Sequence, residues 1–279
     1  MCGTLILISL MITISVSTPE YGEKVGIIDI EGMITDALPV IADLKYFREN
    51  EQVKAILIRI NSPGGGVAPS QEIYREILKS KNEKPIIISM GTVAASGGYY
   101  IASAANGIVA NTGTITGSIG VIMGFTNFEV LFQKIGLQTS VIKSGEFKDM
   151  GSPTRPMTPE EESFLKSFVT EIHEQFINDV SQGRNMPVDE IRSVADGRIF
   201  TGEQAKKMGL VDRIGNYDDA VQWAGSLGGI QGKISTMHPP KPPLGILEEL
   251  IHNEIHSWIS QLSTYQEKLS INYLCPYKD

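Results

Sequence analysis

The chain has 279 residues, 42% of them hydrophobic and 20% charged, which is enough to bury a substantial core in one large domain with extensions. Its formal net charge of −8 argues against nucleic acid as a partner, because phosphate contact needs a basic face. The two cysteines, Cys2 and Cys275, stand at opposite ends, so neither a disulfide framework nor a zinc-ligand spacing is supported.

Residues 1–19 carry no charged side chain, and Leu5 to Val16 is almost entirely apolar. That is the length of a signal-peptide core and marginal for a span of about 20 residues. Ser15-Val-Ser17 offers a small-residue cleavage site, but no Lys or Arg precedes the apolar run. The expectation is an uncleaved anchor, with the remaining chain on the extracytoplasmic side of a bacterial-type membrane.

The body alternates strand and helix patterns. Val25 to Ile30 reads as a strand, and Leu38, Ile41, Leu44 and Phe47 have helical spacing within Ala37 to Arg48. Val53 to Ile60 is a second strand, Pro69 to Lys81 a helix with Ile73, Ile77 and Leu78 as its apolar stripe, and Pro85 to Ser89 a third strand. Gly107 to Ala110, Val121 to Met123 and Gln138 to Lys143 read as further strands, and Phe128 to Lys134 as a helix stopped by Gly136. Pro159 to Gly183 is amphipathic. Strand, crossover helix and strand in repetition imply an α/β fold with a mainly parallel sheet covered by helices. The domain expectation is a signal or anchor segment at 1–19, a catalytic domain at 24–230, and a Pro-containing linker with a helical tail at 231–279. The tail carries a helix-spaced stripe, Leu247, Leu250, Ile251, Ile255, Trp258, Ile259 and Leu262, for which packing on the body is the simplest role.

The stretch Met90 to Ala102 follows an apolar strand and leads into small, apolar, helix-compatible residues. Ser96 therefore stands where a strand gives way to a helix, at the sheet edge where ligands of open α/β folds bind. Gly97 and Gly98 allow close backbone approach. One role for Ser96 is a nucleophile with backbone N–H groups beside it. The other is a helix N-cap, with glycines that only relieve a tight turn. Asn61-Ser-Pro-Gly-Gly-Gly66 follows another buried strand and exposes backbone donors at the same edge, as an oxyanion hole requires. It also fits a plain flexible turn. No Gly-Lys-Ser or Gly-Lys-Thr follows it, so it is not a phosphate loop.

A nucleophilic serine needs a base. His173 lies in the amphipathic stretch, and His238, His252 and His256 lie in the Pro-rich segment and tail, so none is near the strand-to-helix core. His252 and His256 have a zinc-like i, i+4 spacing, but Glu254 is one position away from the H-E-x-x-H pattern, and metal binding is not expected. Lys148 is the better candidate, because its segment leaves a strand and enters a Gly-containing loop that can return over the sheet edge. A free lysine is neutral only about once in a few thousand at pH 7, and making it a base near pH 7 to 8 costs about 4 kcal/mol through burial away from acids. Glu146 and Asp149 must then point elsewhere. An ordinary surface lysine is the competing role.

Asn61-Ser-Pro-Gly-Gly-Gly66, Ala94-Ala-Ser-Gly-Gly-Tyr-Tyr-Ile101, Thr114-Ile-Thr-Gly-Ser-Ile-Gly-Val121 and Lys143-Ser-Gly-Glu-Phe-Lys-Asp149, in this order and spacing, resemble the SppA-type signal peptide peptidases. These are serine proteases of the ClpP/crotonase-like fold that use a serine–lysine dyad. The resemblance covers about Val25 to Leu227. It implies Ser96 as nucleophile, Lys148 as general base, Ser118 as the hydroxyl that orients the lysine, and the N–H groups of Gly65 and Gly97 as oxyanion hole. Gly197 to Asp212 is similar to the family's packing segment after the catalytic core.

The resemblance further implies peptide substrates, above all remnant signal peptides at the membrane, and a homo-oligomeric ring, with no cofactor or metal. A related membrane protease with a specific membrane-protein target fits the same motifs. A crotonase-like acyl-CoA enzyme or an inactive scaffold fits them less well, since neither has a use for Ser96, Ser118 and Lys148 together.

Overall fold

The computed structural model describes residues 22–240 and 272–274. The expected anchor at 1–19 and the apolar stripe from Leu247 to Leu262 lie outside the described residues. Among the described residues no helix is long and apolar enough to cross a membrane.

The fold starts with β1 (Lys24–Glu31), α1 (Leu38–Glu49) and β2 (Val53–Ser62), a parallel strand pair with a crossover helix. Ile27 stands opposite Leu57 and Ile28 opposite Ile58. Proline in the first turn of α1 costs no hydrogen bond there, and the helix buries Leu44 and Phe47. Leu38 of the expected stripe instead faces solvent, at 68% exposure. After β2 the chain forms the short strand β3 (Gly64–Gly66) and then α2 (Val67–Ser80), which buries Ile73 and Ile77 as its spacing predicts.

Next, β4 (Ile86–Ala95) runs well past the expected end at Ser89. Its first half is the apolar Ile86 to Ile88 run beside β2 and β5 (Gly107–Ala110), with α3 (Gly97–Ser103) between β4 and β5. Its second half has no apolar run and is held in strand form by β6 (Ile115–Gly117), whose Thr116 hydroxyl donates to the Ala94 carbonyl at 2.7 Å. Strand β6 was not expected, whereas Val121 to Met123 forms no strand. The helix α4 (Glu129–Lys134) ends as predicted, with Gly136 in the left-handed region at φ 74°. Residues 138–143 form no strand either: they find no sheet edge among the described residues, and Ile142 is 100% exposed.

A single 3-10 turn, Glu146–Asp149, precedes the long α5 (Pro159–Arg184), whose start is fixed by a reciprocal cap between Thr158 and Glu161. The chain then forms α6 (Val188–Val194), β7 (Ile199–Thr201), α7 (Gly202–Lys207), β8 (Arg213–Ile214), α8 (Tyr217–Leu227), β9 (Ser235–Met237) and, much later, β10 (Asn272–Leu274).

The main sheet has eight strands in the order β7-β6-β4-β2-β1-β9, with β5 beside β4 and β8 beside β5. Every pairing in it is parallel except β6 with β7. Both faces are covered, which is why β2 and the first half of β4 read as largely apolar runs. One core joins Ile56, Ile58, Ile86 and Ile88 to Leu44, Tyr74, Tyr99 and Phe176 from the helices. The other packs Ile27, Leu57, Ile87 and Val109 under Ala220 and Ala224 of α8. The mainly parallel α/β expectation is met. What it does for the site is to aim the ends of β2, β4 and β6 at one edge.

Candidate active site

Ser96 sits between the end of β4 and the first residue of α3. Its backbone is strained, with φ 54° and ψ −118°, a region that side chains with a Cβ avoid at a cost of about 1–3 kcal/mol. The surroundings enforce it. The Ser96 N–H donates to the Gly117 carbonyl at 2.8 Å, and the Ser96 carbonyl accepts the first helical bond from Tyr100 N–H at 2.8 Å. The hydroxyl does not cap the helix, which removes the N-cap role for this side chain. Oγ is instead buried without a hydrogen-bond partner. A strained backbone that delivers an unpartnered hydroxyl is a costly arrangement, and functional sites are where such strain collects.

The glycine strand β3 lies directly alongside. An ideal Cβ built on Gly97 would stand 3.2 Å from the Gly65 nitrogen and 2.6 Å from Ser70 Oγ, so these two glycines approach as only glycines can. Ile34 uses one side of β3: its N–H donates to the Gly64 carbonyl at 2.9 Å and its carbonyl accepts from Gly66 N–H at 2.8 Å. Strand alternation turns the Gly65 N–H and carbonyl to the opposite side. The Gly97 N–H precedes the first intrahelical bond of α3 and is not used by the helix. Two backbone donors are thus brought together beside the serine.

Ser118 follows β6, whose Gly117 is the cross-strand neighbour of Ala95, so Ser118 leaves the sheet level with Ser96. It too has a left-handed backbone, φ 51°, and its N–H donates to the Arg198 carbonyl at 2.8 Å. Lys148 is not brought into this group. It lies on the exposed 3-10 turn Glu146–Asp149 and makes no hydrogen bond to Ser96 Oγ.

Similarity to known proteins decides the family. The model of peptidase family S49 matches residues 78–231, more than half of the chain, and the Clp protease model matches residues 22–116. The chain belongs to peptidase family S49. It is 43% identical over 225 residues to a putative protease of Synechocystis, an overlap of 79% of this chain and 81% of that one. It is 42% identical over 182 residues to a putative signal peptide peptidase SppA of Enterococcus faecium, covering 65% of this chain but only 53% of that protein. With a chloroplastic serine protease SPPA of Arabidopsis thaliana the identity is 39%, over 70% of this chain and 29% of the relative. Among solved structures, a membrane-bound stomatin-specific protease superposes with a TM-score of 0.53 at 18% identity, covering 79% of this chain and 99% of that one, which shows a shared fold. The SppA-type resemblance read from the four motifs is therefore correct, and this S49 peptidase is a serine protease.

Neither described histidine of the S49 peptidase makes a hydrogen bond to Ser96 Oγ. His173 lies on α5 with Nε2 buried and unpartnered, and His238 is exposed, its Nδ1 3.6 Å from Asp29 Oδ2. The acid beside Lys148 is engaged elsewhere. Asp149 accepts from Lys143 Nζ at 2.7 Å and from Arg155 Nε at 3.0 Å and Nη2 at 2.9 Å. Arg155 continues to Glu161, Nη1 to Oε2 at 2.9 Å, tying the loop to the cap of α5. The Arg155 guanidinium, and after it the Lys143 ammonium, hold the Asp149 carboxyl well below the ordinary range, and Arg155 does the same to Glu161. Nothing in the sequence spacing advertised this clamp.

Both carboxyls are depressed in the folded chain, so the clamp contributes fully above their unfolded values near 4 and is lost as pH falls below them. Arg155→Met is expected to lower Tm at pH 7 by about 2–4 °C, a difference that narrows below about pH 4. Thermal unfolding of the two chains across pH checks this.

Proposed function

We propose that this S49 peptidase is an endopeptidase with a Ser96–Lys148 dyad that degrades remnant signal peptides at a membrane, to which residues 1–19 anchor it with the catalytic domain on the extracytoplasmic side. The observation that carries the reading is the strained, buried and unpartnered hydroxyl of Ser96 beside the Gly65 and Gly97 N–H groups. In the reaction Lys148 Nζ takes the Ser96 proton as Oγ bonds to the peptide carbonyl carbon, and the oxyanion rests on the two glycine N–H groups. The C–N bond then breaks, the departing amine takes the proton from Lys148, and water repeats the cycle on the acyl-enzyme. Ser118 orients the lysine. No cofactor or metal takes part.

Self-association supplies the missing contact between Lys148 and Ser96. The segment that carries Lys148 is lined with exposed apolar side chains, including Val130 at 62%, Ile135 at 59% and Ile142 at 100%, and Phe164 of the neighbouring α5 is 51% exposed. A patch of this kind on a water-facing surface marks an interface. Packed against a second copy in a ring, it buries Lys148 and brings it to the neighbour's serine.

Hydrolysis of a signal-peptide-like substrate by the chain from about residue 20 onward tests both parts. Lys148→Ala is expected to lower turnover by about 10³-fold or more, and wild-type activity to rise with pH through one ionisation well below 10. Mixing Ser96→Ala with Lys148→Ala chains should restore part of the activity, because each copy lends the group that the other lacks. A fully active Lys148→Ala chain refutes the base assignment. An inactive mixture of associated chains refutes the shared site.

A further inference from the structure

The two backbone donors beside Ser96 belong to different elements, Gly65 to β3 and Gly97 to α3, and an oxyanion hole needs both at one fixed spacing. Ser70 of α2, a helix that packs on both of these elements, reaches each of them. The residue has no accessible surface, and its hydroxyl donates to the Gly66 carbonyl at 2.8 Å. The same oxygen fills the space beside Gly97: a Cβ built there would stand 2.6 Å from Ser70 Oγ and 3.2 Å from the Gly65 nitrogen. A serine that bonds back to the carbonyl four residues earlier is ordinary in a helix. Here that carbonyl belongs to the residue after Gly65, whose N–H is already held by the Ile34 carbonyl, so the hydroxyl fixes the remaining polar group of the strand end.

We infer that Ser70 is a positioning residue of the oxyanion hole: its hydroxyl holds β3 through the Gly66 carbonyl, packs against Gly97, and so sets the distance between the Gly65 and Gly97 N–H groups. The inference rests on the peptidase reading of Ser96 given above. Ser70 is not a third donor, because a hydroxyl has one proton and this one goes to Gly66. Its effect belongs to the step in which charge develops, since a group that only places the donors stabilises the oxyanion and not the bound substrate. Removing the hydroxyl frees the Gly66 carbonyl and leaves room for β3 and α3 to shift. A small displacement of either donor then weakens a hydrogen bond aimed at the developing charge.

The test compares two variants of the full chain, Ser70→Ala and Ser80→Ala. The second removes an equally buried hydroxyl from the far end of the same helix, where it accepts from Arg48. Ser70→Ala is expected to lower kcat for a signal-peptide-like substrate about 10-fold with KM unchanged. It should weaken a peptide boronic acid, whose tetrahedral adduct with Ser96 places an oxygen in the hole, by about the same factor. Amide exchange at Gly65 and Gly97 should also become faster. Ser80→Ala should change none of the three. Wild-type kcat and boronic acid affinity in Ser70→Ala overturn the inference, and so does an equal loss in Ser80→Ala, which would make the effect a general loosening of α2. Failure of the peptidase reading looks different: the wild-type chain itself turns over no peptide and holds the boronic acid no better than the matching unreactive peptide. The spacing role then stands or falls on amide exchange at Gly65 and Gly97 alone.

Discussion

Ser96→Ala is expected to lower peptide hydrolysis by about 10⁴-fold or more while leaving the fold intact or slightly more stable. The activity loss follows from removal of the only atom that forms the acyl bond. The stability follows from the cost of the native arrangement, since the lost hydroxyl is buried and unpartnered. Ser96→Gly separates the two effects further. Glycine adopts φ 54° and ψ −118° without a Cβ penalty, although it also gains freedom in the unfolded chain, and the net expectation is about 1 kcal/mol of stabilisation, or a Tm higher by about 2–4 °C. A protein that becomes inactive and more stable at one position is one whose native residue is kept for chemistry. Thermal unfolding and peptide turnover on the same samples check this, and a destabilised Ser96→Gly chain would mean that the strain is not where the backbone angles put it.

Gly65→Ala is expected to lower kcat by about 10²- to 10³-fold, the loss typical of a displaced oxyanion donor. The position does not have a left-handed backbone, so the constraint is space. A Cβ there would stand 2.2 Å from the Ile34 carbonyl oxygen and 2.5 Å from the Ile34 nitrogen, and backbone cannot rotate aside as a side chain can. Relief requires β3 to separate from Ile34, which breaks the two hydrogen bonds that hold Gly64 and Gly66 and moves the Gly65 N–H away from Ser96. Gly113→Ala is the control, since an added Cβ there meets nothing within 4 Å. Equal turnover by the two variants would remove Gly65 from the oxyanion role.

Much of the fold was legible because the signals are local. Ile86 to Ile88 and Val53 to Ile60 are apolar runs bounded by turn residues, and a strand buried on both faces has to look like that. The junction at Ser96 was legible for the same reason, because an apolar strand passes into small helical residues without a gap. The failures share a cause as well. The second half of β4 and all of β6 hold strand form through each other, with Thr116 bonded to Ala94, and neither carries an apolar run of its own. Gln138 to Lys143 has strand-like composition and no partner, so composition alone misled.

The amino-acid sequence by itself determined the parallel α/β order, the serine at the strand-to-helix junction, the glycines at the neighbouring strand end and the family these motifs resemble, because each depends on residues close together in the chain. Only the tertiary structure decided that the Ser96 hydroxyl caps nothing, that Gly97 stands against Gly65, that Arg155 and Lys143 engage the Asp149 carboxylate, and that residues 272–274 lie along Gly64–Gly66. Those contacts join residues from separate elements, some about 200 positions apart, and no local period encodes a pairing that is settled only when the sheet edge, the helix and the distal segment meet in space.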